Sequence, residues 1–209
     1  MQTLNDREIE VKLYLLHPDS LAKKLEQEGA RLVQPRVNEW NLRFDTLNNG
    51  LSSTGKVLRL RKDTRSRLTY KSEASLNDDV TDRQELEVEV SDFDTTRKIL
   101  EVLGFTVFVM YEKFRTTWHW LDCEVTLDEM PYGFFCEVEG HDTGRIRHVV
   151  EKLGLDWNQR ILTSYLGLFT MLKNTGALKA ENLVFSAFEK EHVKPGDFEE
   201  LNIHPSDFM

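Results

Sequence analysis

Charged residues recur at every second position in one short segment of this chain after another. Glu8, Glu10 and Lys12 alternate with Ile9, Val11 and Leu13. Arg59 and Arg61 alternate with Leu58 and Leu60, and Thr69, Lys71 and Glu73 keep the same period. Glu85, Glu87 and Glu89 form a fourth run, interleaved with Leu86, Val88 and Val90. Lys113 and Arg115 flank Phe114, Glu124, Thr126 and Asp128 flank Val125 and Leu127, and Glu137 and Glu139 flank Val138. A period of two is the period of a β-strand, whose successive side chains point to opposite faces. Turn-forming stretches such as Asn48-Asn49-Gly50 and Ser52-Ser53-Thr54-Gly55 punctuate the segments. The chain therefore reads as a sheet with one apolar and one heavily charged face.

Charged strand faces ordinarily face water. Two details weigh against that here. The polar positions are mostly long and charged, with few Ser or Asn among them. The strands also sort by sign, into carboxylate strands and nearly pure cation strands. If the charged faces point into a barrel, acids and bases share one cavity. Buried unpaired charge is costly, so such a cavity must be wet and must compensate its own charges. That is a poor way to stabilise a core and a good way to hold a highly charged ligand. Arg and Lys in a fixed array match phosphate oxygens. Clustered Glu and Asp match a hard divalent cation such as Mg²⁺ or Mn²⁺. The two together point to a metal–polyphosphate complex; an outward-facing charged sheet is the competing arrangement.

At 209 residues, 40% hydrophobic and 30% charged, the chain can bury a core and does not read as a disordered tail. Its formal net charge of -9 argues against a general nucleic-acid binder, though not against a local cationic pocket. The uninterrupted apolar runs, such as Val107 to Tyr111, are far too short to span a membrane. The first residues offer no apolar signal core, so a cytoplasmic location is expected. Cys123 and Cys136 lack metal-ligand spacing; free thiols are the simplest reading, with a single disulfide left open.

The opening pattern occurs three times, near residues 8, 87 and 137: an acidic strand, a polar turn, then a short helix closed by Gly29, Gly104 or Gly154. Asp19 or Ser20, Asp92 or Asp94, and Asp142-Thr143 stand where these helices begin. Further strands are expected over Val37–Asp45, Lys56–Arg61, Arg67–Glu73, Val107–Arg115, Thr117–Leu121 and Cys123–Leu127, with a helix over Ile161–Lys173. The tail from Gly176 to Met209 is expected to cover the outside or one mouth of the sheet, or to be partly ordered.

The residues in this order resemble the CYTH superfamily, the triphosphate tunnel metalloenzymes. Glu8, Glu10 and Lys12 match its ExExK signature, which is weak alone. The ordered set is more specific: Phe44-Asp45-Thr46, Leu58-Arg59-Leu60-Arg61, Thr69-Tyr70-Lys71, the acidic run from Glu85, Lys113-x-Arg115, Leu127-Asp128, Glu137-x-Glu139 and Ser164-Tyr165. The resemblance covers roughly residues 7 to 173 and implies an α+β fold, a closed eight-stranded antiparallel β-tunnel with a charged interior and flanking helices. That domain is placed at 1–175, with an extension at 176–209. The resemblance implies Mg²⁺- or Mn²⁺-dependent chemistry on a triphosphate. By position, Glu8, Glu10, Glu137, Glu139 and Asp128 would hold the metal. Lys12, Arg59, Arg61, Lys71, Lys113 and Arg115 would hold the triphosphate. Glu87, with Glu85 and Glu89, would line the tunnel and bind a second metal or orient water. Lys12 would assist proton transfer if neighbouring cations lower its pKa.

Hydrolysis of a small triphosphate, inorganic tripolyphosphate among them, is the leading expectation, catalysed by positioning and electrostatics. A class IV adenylyl cyclase, forming cyclic AMP and pyrophosphate from ATP, shares the motifs, as does a thiamine triphosphatase. A cyclase needs a base-binding region; Trp40, Phe44, Trp118 and Trp120 are candidates, with packing the favoured reading. A non-catalytic polyphosphate or nucleotide sensor is the reading from another class, and the complete acidic set argues against it. The expected partner is a triphosphate-bearing small molecule rather than a nucleic-acid polymer or a membrane, and a monomer or homodimer is expected. The six histidines show no metal-ligand pattern, and there is no Gly-rich phosphate loop.

Overall fold

The computed structural model describes residues 7–77 and 79–207, and side chains for all of these except 76 and 77. The alternating segments form antiparallel strands: β1 (Arg7–Leu15), β2 (Arg31–Thr46), β3 (Val57–Lys62), β4 (Ser66–Lys71), β5 (Ser75–Asn77), β6 (Val80–Val90), β7 (Phe105–Trp120), β8 (Cys123–Met130), β9 (Gly133–Glu139) and β10 (Arg160–Ile161). Their order is β10-β1-β9-β8-β7-β2-β3-β4-β6-β5, and β1 also pairs with β6. That pairing, Arg7 with Gln84 through Glu10 with Thr81, joins the ends of the sheet into a ring of eight strands. The short strands β5 and β10 lie beside the ring on β6 and β1.

Each of the three acidic strands leads into a ten-residue helix: α1 (Pro18–Gln27), α2 (Phe93–Val102) and α3 (Thr143–Lys152). Asp92 and Asp142 cap the latter two, accepting from the backbone N–H of Thr95 at 2.6 Å and of Arg145 at 2.8 Å. Neither Asp19 nor Ser20 caps α1. Its N-cap is His17 with Pro18 at the first helical position, and the Asp207 carboxylate accepts from the N–H of Leu16 and His17. The sequence pattern divided β7 in two and carried it to Leu121. It is one strand ending at Trp120, because Leu121 and Asp122 both take positive φ and form a two-residue hairpin turn. The helix expected from Ile161 starts later, as α4 (Tyr165–Asn174), capped by Ser164, because Arg160 and Ile161 pair with β1 instead. Pro35 lies in β2 where the register against β7 slips, consistent with its missing N–H.

Most apolar strand faces point outward and are covered by helices, although Leu86 and Val88 of β6 are exposed. Val11, Leu13, Val125 and Val138 pack with Leu25, Ile146, Val149 and Val150. Leu42, Phe44 and Leu60 pack with Leu100 of α2. A third cluster has a different origin. Along β1 the inward positions run Glu8, Glu10, Lys12 and then Tyr14; along β9 they run Glu139, Glu137 and then Phe135. Tyr14 and Phe135 leave the charged region and pack with Leu168 and Leu172 of α4 and with Leu183, Phe188, Phe198 and Ile203 from the C-terminal segment. Phe198, in the short helix α5 (Pro195–Glu199), stacks on Tyr14 with ring centroids 4.4 Å apart. Residues 176–207 therefore join the apolar end of the inward strand positions. Among the described residues no helix is long and apolar enough to cross a membrane, and Cys123 and Cys136 are both free and buried.

Candidate functional site

The inward faces enclose a cavity of about 830 Å³ whose lining includes Glu8, Glu10, Lys12, Arg59, Arg61, Lys71, Glu85, Glu87, Lys113, Arg115, Glu137 and Glu139. Alternating charge along most strands is thus alternating burial: most outward aliphatics go to helices and most inward charges go to one shared space, while Leu86, Val88 and Glu89 of β6 are exposed.

Carboxylates crowd one wall. Glu10 is the register partner of Glu139 across β1–β9, and Glu139 is the partner of Glu124 across β8–β9. Like charges directly opposite on neighbouring strands repel. Burial, together with Glu8, Glu10 and Glu124, pushes the Glu139 carboxyl up to about 8. Burial, Glu137 and Glu8 raise Glu10 in the same way, its one ion-pair neighbour among the described residues being Lys12 at 4.0 Å. Glu8 behaves oppositely. Burial would raise it, but Lys71 and Arg83, the latter at 2.8 Å, hold it well below the usual carboxylate range. Among the described residues, no three Asp, Glu, His or Cys side chains already form a closed metal cage. The donor chemistry nevertheless suits a hard divalent cation: buried carboxylate oxygens with unrelieved mutual repulsion.

Cations occupy the facing wall. Arg61 reaches Glu39 at 3.2 Å and Glu87 at 3.1 Å. Arg59 stands 3.8 Å from Glu85 and 3.7 Å from Glu87. Lys71 pairs with Glu8 and, at 2.8 Å, with Glu85. Glu87 also accepts from the Thr69 hydroxyl at 2.7 Å; burial would raise its pKa, but Arg61, Thr69 and Arg59 lower it. Glu87 is therefore a carboxylate that aligns arginines.

Lys12, Lys113 and Arg115 share a buried support. Lys12 pairs with Glu137 and lies 4.2 Å above the Tyr165 ring. Lys113 and Arg115 both reach Asp128, at 2.9 and 2.5 Å, and the Tyr165 hydroxyl donates to the same carboxylate at 2.7 Å. The Tyr132 hydroxyl fixes Tyr165 in turn, donating to its carbonyl at 2.9 Å. Burial would lower the Lys12 pKa, but Glu137 and Glu10 raise it. The lowered value expected from neighbouring cations is not found, because carboxylates are what surround this ammonium group.

Twelve of the fourteen sequence-chosen side chains meet in the cavity lining. Asp128 does not; its carboxylate has 0% exposure and lies behind the wall, occupied by Lys113, Arg115 and Tyr165. Glu89 pairs at the surface with Arg65. Asp45 leaves the cavity altogether: it accepts from the N–H of Thr46, Leu51 and Ser52 and shapes the turn after β2. Sequence reasoning missed Glu39, Arg43, Arg67, Arg83 and Tyr111, all in the lining. Glu39 and Arg43 were accessible to it, since Glu39, Asn41 and Arg43 keep the period of two within β2.

Comparison with known proteins agrees with this geometry. The model of the family described as the CYTH domain matches residues 6–165. A Methanocaldococcus jannaschii protein provisionally named an adenylate cyclase is 25% identical over 134 residues, which cover 63% of this chain and 75% of the relative. A Vibrio parahaemolyticus structure, also provisionally named an adenylate cyclase, aligns with a TM-score of 0.70 at 19% identity over 78% of this chain and 97% of its own. A Hippeastrum structure, named as a provisional adenylyl cyclase and described as revealing a dominant triphosphatase activity, aligns with a TM-score of 0.57 at 19% identity over 83% of this chain and 98% of its own.

Proposed function

The chain belongs to the CYTH domain family, and from that footing we propose that it hydrolyses a small triphosphate, inorganic tripolyphosphate in the first instance, with Mg²⁺ or Mn²⁺. One observation carries the reading: a row of mutually repelling glutamates, Glu10–Glu139–Glu124, shares a single cavity with Arg59, Arg61, Lys113 and Arg115. Neither wall serves stability, since buried charge is costly even when paired. Each wall matches one half of a metal–triphosphate complex.

In this reading Glu8, Glu10, Glu137 and Glu139 would hold the metal, and Asp128 acts from behind as a brace. A bound divalent ion supplies charge neutralisation at phosphate oxygens and a more acidic water. Arg59, Arg61, Lys71, Lys113 and Arg115 bind and align the phosphate chain, and Glu85 and Glu87 hold the arginines in place. In the metal-free protein Glu137 and Glu10 favour the charged form of Lys12, which suits it to bind an anion. A carboxylate of the lining not engaged by the ion would take the proton of the attacking water.

The names of the relatives favour cyclisation of ATP as the second reading. The aromatic residues weigh against it. Trp40 and Phe44 pack beneath α2, and Trp118 and Trp120 lie in the core under α1 and α3. The aromatics that do line the cavity, Tyr111 and Tyr165, are engaged with Arg59 and with Asp128 and Lys12. The Hippeastrum protein's described triphosphatase activity supports the hydrolase reading.

The test is a product assay on the purified protein with Mg²⁺ or Mn²⁺ and, in turn, tripolyphosphate, thiamine triphosphate and ATP. Orthophosphate supports the hydrolase. Cyclic AMP with pyrophosphate supports the cyclase and rejects the hydrolase. Tight binding without turnover makes the protein a sensor.

A further inference from the structure

Every cation lining the cavity has a carboxylate within ion-pair distance except Arg43 and Lys56, among the described residues. Arg43 is the direct register partner of Arg59 across β2–β3. Two arginines so placed repel, and neighbouring strands are only about 4.8 Å apart. Arg59 is relieved by Glu85 and Glu87; Arg43 has no such neighbour. The Asp45 oxygens beyond it are taken by backbone N–H groups, and the Phe108 ring lies 5.7 Å from its guanidinium carbon. Its Nε is buried without a hydrogen-bond partner. Burial, with Arg59 and Arg83 adding repulsion, brings its pKa down to about 10, so it is still a cation at neutral pH. A half-buried guanidinium facing another across the ladder is costly unless an anion arrives.

Position says which anion. Arg43 is the last cation on the inward face of β2 before the turn that Asp45 organises, and Lys56 lies at the other end of that turn, leading into β3. Arg43 thus stands beside Arg59, and Lys56, one residue before Val57, lies on the turn side of both. We propose that Arg43 and Lys56 form an additional anion subsite continuing the triphosphate row, so that the cavity prefers linear inorganic polyphosphate of four or more phosphoryl groups over tripolyphosphate. The proposal rests on the phosphate-binding reading above and deepens it.

The test is calorimetric titration of the full chain, in EDTA to prevent turnover, with tripolyphosphate and tetrapolyphosphate. The parent protein binds tetrapolyphosphate about tenfold more tightly, the size of one charge-assisted contact. Arg43→Gln brings the ratio of the two affinities near one, Arg43→Lys restores part of it, and Arg59→Ala weakens both ligands together. Thermal melts of each variant check that the fold is kept. An unchanged ratio in Arg43→Gln overturns the subsite, as does equal weakening of both ligands, which would place Arg43 within the triphosphate row itself. Where binding needs the metal, the same ratio is read from the KM values of the two ligands with Mg²⁺; a parent protein that binds neither ligand in EDTA and turns over neither with Mg²⁺ or Mn²⁺ overturns the phosphate-binding reading as well, so the two failures are distinguishable.

Discussion

Glu10 stands directly across the β1–β9 ladder from Glu139, both on the inward face, with Glu124 next in line on β8. The row has a measurable consequence for stability. The Glu139 carboxyl is pushed up to about 8 in the folded protein, against about 4.3 for an unperturbed glutamate. Between those values the folded state holds the proton that the unfolded state has released. Metal-free stability therefore falls as pH rises through that window. Glu139→Gln removes the charge, so its melting temperature exceeds the parent's at pH 9 and not at pH 5. Mn²⁺ raises the parent's melting temperature at pH 9 by more than the variant's. A variant that melts lower at both pH values would contradict the repulsion.

Glu10→Gln should abolish metal-dependent turnover while leaving the fold intact, because among the described residues Glu10 has only Lys12, at 4.0 Å, as an ion-pair neighbour. Glu8→Gln should also abolish turnover, but with some loss of stability, because Lys71 and Arg83 both depend on Glu8. Circular dichroism and phosphate release measured together separate the two effects. Unchanged rates in both variants would reject these glutamates as metal ligands.

Asp128 holds two cations and a hydroxyl behind the cavity wall. Asp128→Asn should cost about 3–5 kcal/mol of stability, since it leaves buried cations under-compensated. Tyr165→Phe removes one hydrogen bond to a charged group and should cost about 1.5–3 kcal/mol. Denaturant unfolding measures both. If Asp128→Asn is neutral in stability yet eliminates metal binding, Asp128 is a ligand and not a brace.

Phe198 is fully buried and stacked on Tyr14. Phe198→Ala should destabilise the whole domain by about 3–5 kcal/mol, and a single unfolding transition should persist. A separate early transition for the C-terminal segment would show that it is an appendage and not part of the core.

The sequence displayed the site more openly than the fold's closure. A period of two identifies strands and their charged faces because side-chain direction is local to the backbone. It says nothing of which strands pair, so the β1–β6 contact that closes the ring is not visible in it. Asp128 shares its inward parity with Glu124 and Thr126, so only packing reveals that three donors take it out of the cavity. The surroundings of Lys12 are hidden for the same reason: Glu137, its ion-pair partner, is 125 residues away in sequence. The tail gave the weakest signal because its aromatic residues, Phe185, Phe188 and Phe198, have no regular spacing. Their partners, among them Tyr14 and Phe114, lie on distant strands.

Diffraction from crystals grown with Mn²⁺ and tripolyphosphate, with anomalous data collected for manganese, tests the account most directly. The account predicts a manganese peak bounded by Glu10 and Glu139, with the phosphate chain running from it onto Arg59, Arg61, Lys113 and Arg115. Manganese and phosphate bound only on the outer surfaces, with the cavity carboxylates left to water, would contradict it.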